Sequence, residues 1–175
     1  GADLLGARLA AGTRQGEAVG LLLPNVTGVA VAFFALQSRG RVPAMLNFTV
    51  GLANLRSACA TADIATIVTA RAFVDQAKLG EVIAALEADG RRVLYLEDIA
   101  ETIGGAAKLW AALTRWRIAA RHRALRLSPD APAVILFTSG SEGVPKGVVL
   151  THRNLLSNCA QLAARIDFNS SDVVL

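Results

Sequence analysis

Apolar runs rich in β-branched residues alternate along this chain with stretches of helical periodicity, and that alternation leaves few folds open to it. The runs are Val19–Leu23, Val42–Leu46, Ile64–Thr69, Arg92–Asp98 and Ala133–Phe137. Between them the pattern predicts helices over Val26–Ser38, from Thr49 through Ala62, over about Phe73–Ala88 and over about Leu155–Ile166. Asn25, Thr49, and Thr151 or Asn154 supply side-chain oxygens that suit helix N-caps. Gly40 and Gly90 supply the stops. Strands that are apolar throughout, not alternately, belong in a sheet covered on both faces, and such sheets are largely parallel. The expectation is therefore an α/β fold, a layered and largely parallel sheet with helices on both faces. The Val26–Ser38 helix is apolar all round, so it is expected to be buried. The second is expected to bury Leu52, Leu55, Ala58, Cys59 and Ala62, and the third Val74, Ala77, Ile83 and Leu86.

A chain of 175 residues, 53% hydrophobic, has length for a sizeable core and excludes general disorder. Residues Ala18–Ser38 carry no charge and are long enough to span a bilayer. Pro24 and Asn25 interrupt them, so a strand, a turn and a helix is the better reading. Two cysteines, Cys59 and Cys159, with no C-x-x-C and only two histidines, argue for free thiols in a reducing compartment and against a metal site. The first residue is Gly1, and "DVVL" at the last residues reads as a strand, so both ends are expected to be cut from a longer protein.

The charge is unevenly placed. Thr102–Pro129 holds Lys108, Arg115, Arg117, Arg121, Arg123 and Arg126 and no acid, in a chain whose net charge is +4. No nucleic-acid-binding motif accompanies this cluster, so nucleic acid is not expected as a partner. Lys108–Leu125 reads as a helix with Leu109, Leu113, Trp116 and Ala120 on one side. Three roles stay open for it: a covering helix, a protein-docking helix, or an interfacial helix on anionic lipid with Lys108, Trp110, Arg115, Trp116, Arg117 and Arg121 at the boundary.

The densest chemistry lies in "ILFTSGSEGVPKGVVLTH", Ile135–His152. Thr138, Ser139 and Ser141 give three hydroxyls within four residues. Gly140 and Gly143 let the backbone turn tightly, and successive amides in such a turn make an anion-binding concavity. Lys146 adds a mobile positive charge behind Pro145. A plain turn needs one or two glycines, not these hydroxyls and a lysine as well. The loop is not a Walker loop, because a strand and not a helix follows Lys146, and G-x-G-x-x-G is absent. A polyphosphate is the ligand it suits.

"TSGSEGVPKG" resembles the phosphate-loop signature of the adenylate-forming enzymes. "GEAVGLLLPN" and the continuation to "THRNLLSN" are similar to the family as well. "RVPAMLNFTVGLANLRSACATADIATIVTAR" and "VLYLED" resemble one branch, the acyl-acyl-carrier-protein synthetase domains of bifunctional 2-acylglycerophosphoethanolamine acyltransferases. The resemblance implies that residues 1–175 are the N-terminal part of the family's large domain. An early subdomain over about 1–100, a basic helical connection over about 101–130 and the phosphate-loop region over about 131–175 would make it up. It implies ATP and Mg²⁺ as cofactors, with Thr138, Ser139, Gly140, Ser141, Gly143 and Lys146 holding the phosphates and Lys146 acting catalytically. It implies a fatty acid as substrate, acyl-carrier protein or coenzyme A as acceptor, and a lysophospholipid in the longer protein. The cytoplasmic face of the inner membrane would be the place of work. Glu142, where many relatives carry a hydroxyl, receives no role. His152 is either a structural histidine or a residue near the acyl pocket. The family's remaining ATP ligands come later in its sequence, so this chain alone is expected to make no acyl-adenylate. The other readings are a long-chain acyl-CoA synthetase and, from a different class, a membrane- or protein-interaction module built on Lys108–Leu125.

If the basic helix lies on lipid, Trp110 and Trp116 should report it. Their fluorescence should shift to the blue with phosphatidylglycerol vesicles and not with phosphatidylcholine, and salt should weaken the effect as the Debye length falls from about 10 Å at 0.1 M to about 3 Å at 1 M. An unmoved spectrum with anionic vesicles would exclude the interfacial role.

Overall fold

The computed structural model describes residues 2–105, 117–138 and 145–167. Six strands form one sheet in the order β4-β3-β1-β2-β5-β6. They are β1 Ala18–Leu21, β2 Val42–Met45, β3 Thr66–Thr69, β4 Arg92–Tyr95, β5 Pro132–Thr138 and β6 Lys146–Thr151. The first five run parallel to their neighbours, and β6 turns back antiparallel on β5. The expected α/β fold with its largely parallel sheet is the fold observed.

The helices outside the sheet are α1 Ala2–Leu9, α2 Thr27–Gln37, α3 Leu52–Thr61, α4 Arg71–Gln76, α5 Gly80–Ala88, α6 Leu96–Glu101, α7 Arg117–Ala124 and α8 His152–Arg165. The strand side chains divide between two cores with the period of two that a pleated strand imposes. Val19, Leu21 and Leu23 pack with Leu9 of α1, Ala32, Ala35 and Leu36 of α2 and Ile99 of α6. Leu22 faces the other way, with Leu55, Ala58 and Cys59 of α3 and with Phe73, Val74, Ile83 and Leu86 of α4 and α5. A run that is apolar at every position therefore serves two layers at once. Because β2 and β3 flank β1 on opposite sides, the chain reverses direction across the sheet after β2. Right-handed crossovers then put α2 and α3 on opposite faces. The connections that leave β1 and β3 diverge to opposite sides, as do those that leave β2 and β5, and ligands of open α/β sheets bind at the carboxyl ends of strands where this happens.

Several sequence expectations are corrected. The helix over Phe73–Ala88 is two helices. Lys78 between them has φ +55°, Leu79 N–H donates to the Val74 carbonyl at 2.9 Å and Lys78 N–H to that of Asp75 at 3.2 Å. This is the left-handed helix stop that glycine usually makes. Asp63 makes the same stop after α3, with Ile64 N–H on the Cys59 carbonyl. Gly40 and Gly90 make it after α2 and α5, as expected, at φ +68° and +82°. The Arg92–Asp98 run ends as a strand at Tyr95, and Leu96 opens α6 with Glu97 and Asp98 in its first turn, where the helix dipole favours acids. Asn25 caps nothing, since Val26 is the N-cap of α2 and has no side-chain bond. Thr49 does not cap α3, whose N-cap is Gly51 without a side-chain bond; Asn47 instead caps the short turn ahead of it. Its carboxamide oxygen accepts from Thr49 N–H and Thr49 Oγ1 at 3.0 and 2.8 Å, closing a 3₁₀ turn over Phe48–Val50. Finally, α2 is buried on one side only, with Phe34 62% exposed.

Among the described residues no helix is long and apolar enough to cross a membrane. Both cysteines are free thiols; Cys59 is buried and Cys159 exposed. Burial raises the Cys59 pKa, its largest influence, with Arg91 opposing it, so little reactive thiolate forms there. Titration with a thiol reagent near pH 8 should label one cysteine quickly in the native chain, and Cys159→Ser should abolish that fast reaction. The second thiol should appear only in denaturant.

Candidate functional site

The sheet delivers its chemistry at the carboxyl ends of β2 and β5. In the β5–β6 hairpin Thr138 stands directly opposite Lys146. Opposed residues of an antiparallel pair project to the same side, about 5 Å apart at Cβ. The hydroxyl that opens the phosphate loop and the ammonium that closes it are thus fixed next to one another by strand register. Both are exposed, whereas Pro145 is buried and locks the backbone ahead of the lysine. Ser139, Gly140, Ser141, Glu142 and Gly143 lie outside the described residues, as do Lys108, Trp110, Arg115 and Trp116.

Beside this pair a cavity of about 390 Å³ opens, with Asn47, Asn54 and Thr138 on its polar rim and Val50, Leu55, Ala58, Phe137 and Pro145 as its apolar wall. Its position agrees with the chain reversal. The β2–α3 connection forms one wall and the β5–β6 hairpin the other. Asn47 spends its oxygen on the cap and keeps its NH₂ group for a ligand. Asn54 donates to the Val50 carbonyl at 3.0 Å and keeps its side-chain oxygen. Neither asparagine was singled out by the sequence reading. A capping signal was visible at Asn47, but Thr49, two residues on, carries the same type of oxygen.

Thr138 and Lys146 fit a phosphate, one as a neutral donor and one as a charge. Among the described residues no carboxylate lines the cavity, and no group of three or more His, Cys, Asp or Glu is able to hold a metal ion. Mg²⁺ normally takes one or two carboxylates besides substrate phosphates. These residues therefore suit ATP's phosphates but do not make a site for the metal.

His152 is not part of this group. It opens α8 at the far end of the hairpin, behind the Thr151–Asn154 capping box, and its N–H donates to the Ala131 carbonyl at 3.2 Å. Six strand steps of about 3.3 Å along β5 separate that end from Thr138, about 20 Å. Of the basic helix, Arg117–Ala124 is described as α7. Arg121 there reaches Asp3 of α1 at 3.2 Å, and Ala120, expected on the covered side, is exposed.

The chain belongs to the AMP-binding enzyme family, whose model matches residues 1–175. It is 31% identical to a feruloyl-CoA synthase from Amycolatopsis sp over 166 residues, which is 95% of this chain and 29% of that protein. It is 30% identical to 4-coumarate–CoA ligase 2 from Oryza sativa subsp. japonica over 155 residues, 86% of this chain and 27% of the relative. Among solved structures, a Mycobacterium tuberculosis fatty acyl CoA synthetase superposes with a TM-score of 0.72 at 22% identity, over 98% of this chain and 31% of the other. The chain thus spans less than a third of the length of these relatives.

Removing the Asn47 oxygen should loosen the wall of the cavity. Asn47→Ala should lower stability by about 1 kcal/mol, the usual worth of a cap, while Asn47→Asp, which keeps the acceptor, should retain most of it. Urea unfolding of the two variants against the parent chain checks this.

Proposed function

We propose that this chain supplies the phosphate-handling part of an enzyme that activates a fatty acid with ATP and passes the acyl group to a phosphopantetheine thiol. In the first step a carboxylate oxygen attacks the α-phosphorus of ATP. The bond from that phosphorus to the β-phosphate oxygen breaks, giving acyl-adenylate and pyrophosphate. In the second the thiol, losing its proton, attacks the acyl carbon and displaces AMP, leaving a thioester. Negative charge builds on the departing pyrophosphate, and catalysis of such transfers rests on donors placed in advance where charge develops. The Thr138–Lys146 pair, set by hairpin register at the mouth of the loop, is the observation that carries this reading. Lys146 supplies the charge and Thr138 a neutral donor.

Acyl-carrier protein is the proposed acceptor and lysophospholipid reacylation the purpose, at the cytoplasmic face of the inner membrane. Likeness to the acyl-carrier branch in Arg41–Arg71 and Val93–Asp98 supports it. The second reading is a long-chain acyl-CoA synthetase, which uses the same first step and takes coenzyme A. It is favoured by the likeness to a structure described as a fatty acyl CoA synthetase.

The test uses the full-length enzyme with ATP, Mg²⁺ and a fatty acid, offering acyl-carrier protein and coenzyme A in parallel. Acyl-carrier protein should be the better acceptor; preference for coenzyme A selects the second reading. In single-turnover assays Lys146→Ala should slow acyl-adenylate formation by about 10–150-fold, as for a lost charge-assisted contact of about 1.5–3 kcal/mol, with little change in fatty-acid affinity. Thr138→Ala should cost less. An unchanged adenylation rate in Lys146→Ala would reject the assigned role.

A further inference from the structure

A second cavity lies at the opposite end of the sheet, with a volume of about 260 Å³. Arg41, Arg126 and His152 line it, together with Gln15, Gln37 and Ser128 and no acidic residue. We propose that this cavity is a binding site for a phosphate-class oxyanion, separate from the phosphate loop. The reading does not depend on the activity proposed above.

The three basic groups come from three places. Arg41 precedes β2 and is held rigidly: its guanidinium donates to Thr13 Oγ1 at 2.9 Å and to the carbonyls of Arg39, Ala10 and Thr13. Its positive charge is thereby fixed at the cavity wall without a carboxylate bonded to it. Glu17, the acid whose charge acts on Arg41, has its Oε2 on the Arg14 N–H at 2.8 Å. Asp130, next along from the Ser128 side of the rim, is bonded through both oxygens to Arg153 at 2.7 and 3.1 Å, which holds its carboxyl below the usual range. Asp130 is thus neutralised by Arg153, and the single negative charge of Glu17 stands against the two guanidinium groups that line the cavity.

Arg126 is the more telling residue. It follows α7 at φ +49°, with its N–H on the Arg123 carbonyl at 3.1 Å. That is the left-handed position after a helix, where glycine or asparagine is the low-energy choice. Asp63 and Lys78 make the same kind of stop elsewhere in the chain, and here the turn brings the Arg126 side chain to the cavity wall. His152 adds an imidazole donor from the first turn of α8. A planar guanidinium fork with a second donor beside it matches the oxygens of a phosphate. Arg126 and Leu127 of the cavity wall follow directly on the basic helix α7. The phosphate can therefore come from solution or from a lipid headgroup.

The chain has two histidines, His122 and His152, so imidazole proton resonances report on the site in the intact chain. His152→Gln assigns the signal. Inorganic phosphate should shift the His152 resonances saturably, and Arg126→Gly should weaken that binding by about tenfold or more, as for a lost charge-assisted pair. Arg126→Gly also relieves the backbone, so a loss of binding is not a loss of fold; its melting temperature should be equal or higher. Lys146→Ala should leave the His152 shift intact, which separates this site from the phosphate loop. A soluble short-chain phosphatidylglycerol, run beside phosphatidylcholine of the same length, distinguishes the sources. A shift with phosphatidylglycerol alone, lost in Arg126→Gly, identifies a headgroup site. No shift with either probe, or a shift unchanged in Arg126→Gly, overturns the proposal.

Discussion

Burial of β1 on both faces is the constraint on which the molecule depends. Four residues, Ala18–Leu21, continue into Leu22 and Leu23 and send alternate side chains into two separate cores. Space at Gly20 is short as well: a Cβ there would come within 2.8 Å of Leu46 Cδ1 and 3.2 Å of Ile64 Cγ2, so the Leu46 side chain would have to move. With both faces committed, β1 can pair only at its edges, to β2 on one side and β3 on the other. The connections that leave β2 and β5 then diverge to opposite sides, and that is where the Asn47 turn and the β5–β6 hairpin meet. The Thr138–Lys146 pair is a consequence of strand order before it is a matter of side-chain chemistry.

Much of this was legible before any coordinates. The apolar runs at Val19–Leu23 and Ile64–Thr69 had to be interior parallel strands, and glycines marked the ends of α2 and α5 correctly. The residue types from Thr138 to Lys146 led to the expectation of a phosphate, and of that loop the structure describes the two ends, which strand register brings together. The stops at Asp63 and Lys78 were not legible, because their left-handed conformation is imposed by the packing of Ile64 and Leu79 into the core and not by propensity. The expected Thr49 cap fails for a related reason: α3 starts at Gly51 without a side-chain cap, and the Asn47 oxygen closes a separate 3₁₀ turn ahead of it, which helical periodicity does not signal. The exposed side of α2 was hidden too, since an apolar helix gives no sign of which faces its neighbours cover.

The structure separates its cations by role. Arg56, Arg71 and Arg153 are tied to Asp89, Asp98 and Asp130 in exposed ion pairs, and such pairs are individually weak in water. Arg71 additionally lies over the Tyr95 ring at 4.1 Å, which positions it more firmly than the ion pair alone. Lys146 at one end of the sheet and Arg126 at the other stand where a ligand can reach them. What distinguishes the two ends is geometry. Register between adjacent strands fixes Lys146 against Thr138, and a strained turn holds Arg126 against a cavity wall.

The order β4-β3-β1-β2-β5-β6 also says when each part can come into being. The four strands up to Tyr95 join neighbours that are close in sequence, and both cores draw most of their side chains from that stretch. By contrast, Ile135 of β5 pairs with Ala44 of β2, about ninety positions earlier, and contacts so distant form slowly. During synthesis the first four strands can collapse while β5 is still being made, and the hairpin then adds to an edge that already exists. The phosphate loop is therefore the last feature of the sheet to be installed. The β5–β6 hairpin is thus laid against a finished template, so an error in its pairing leaves the first four strands standing.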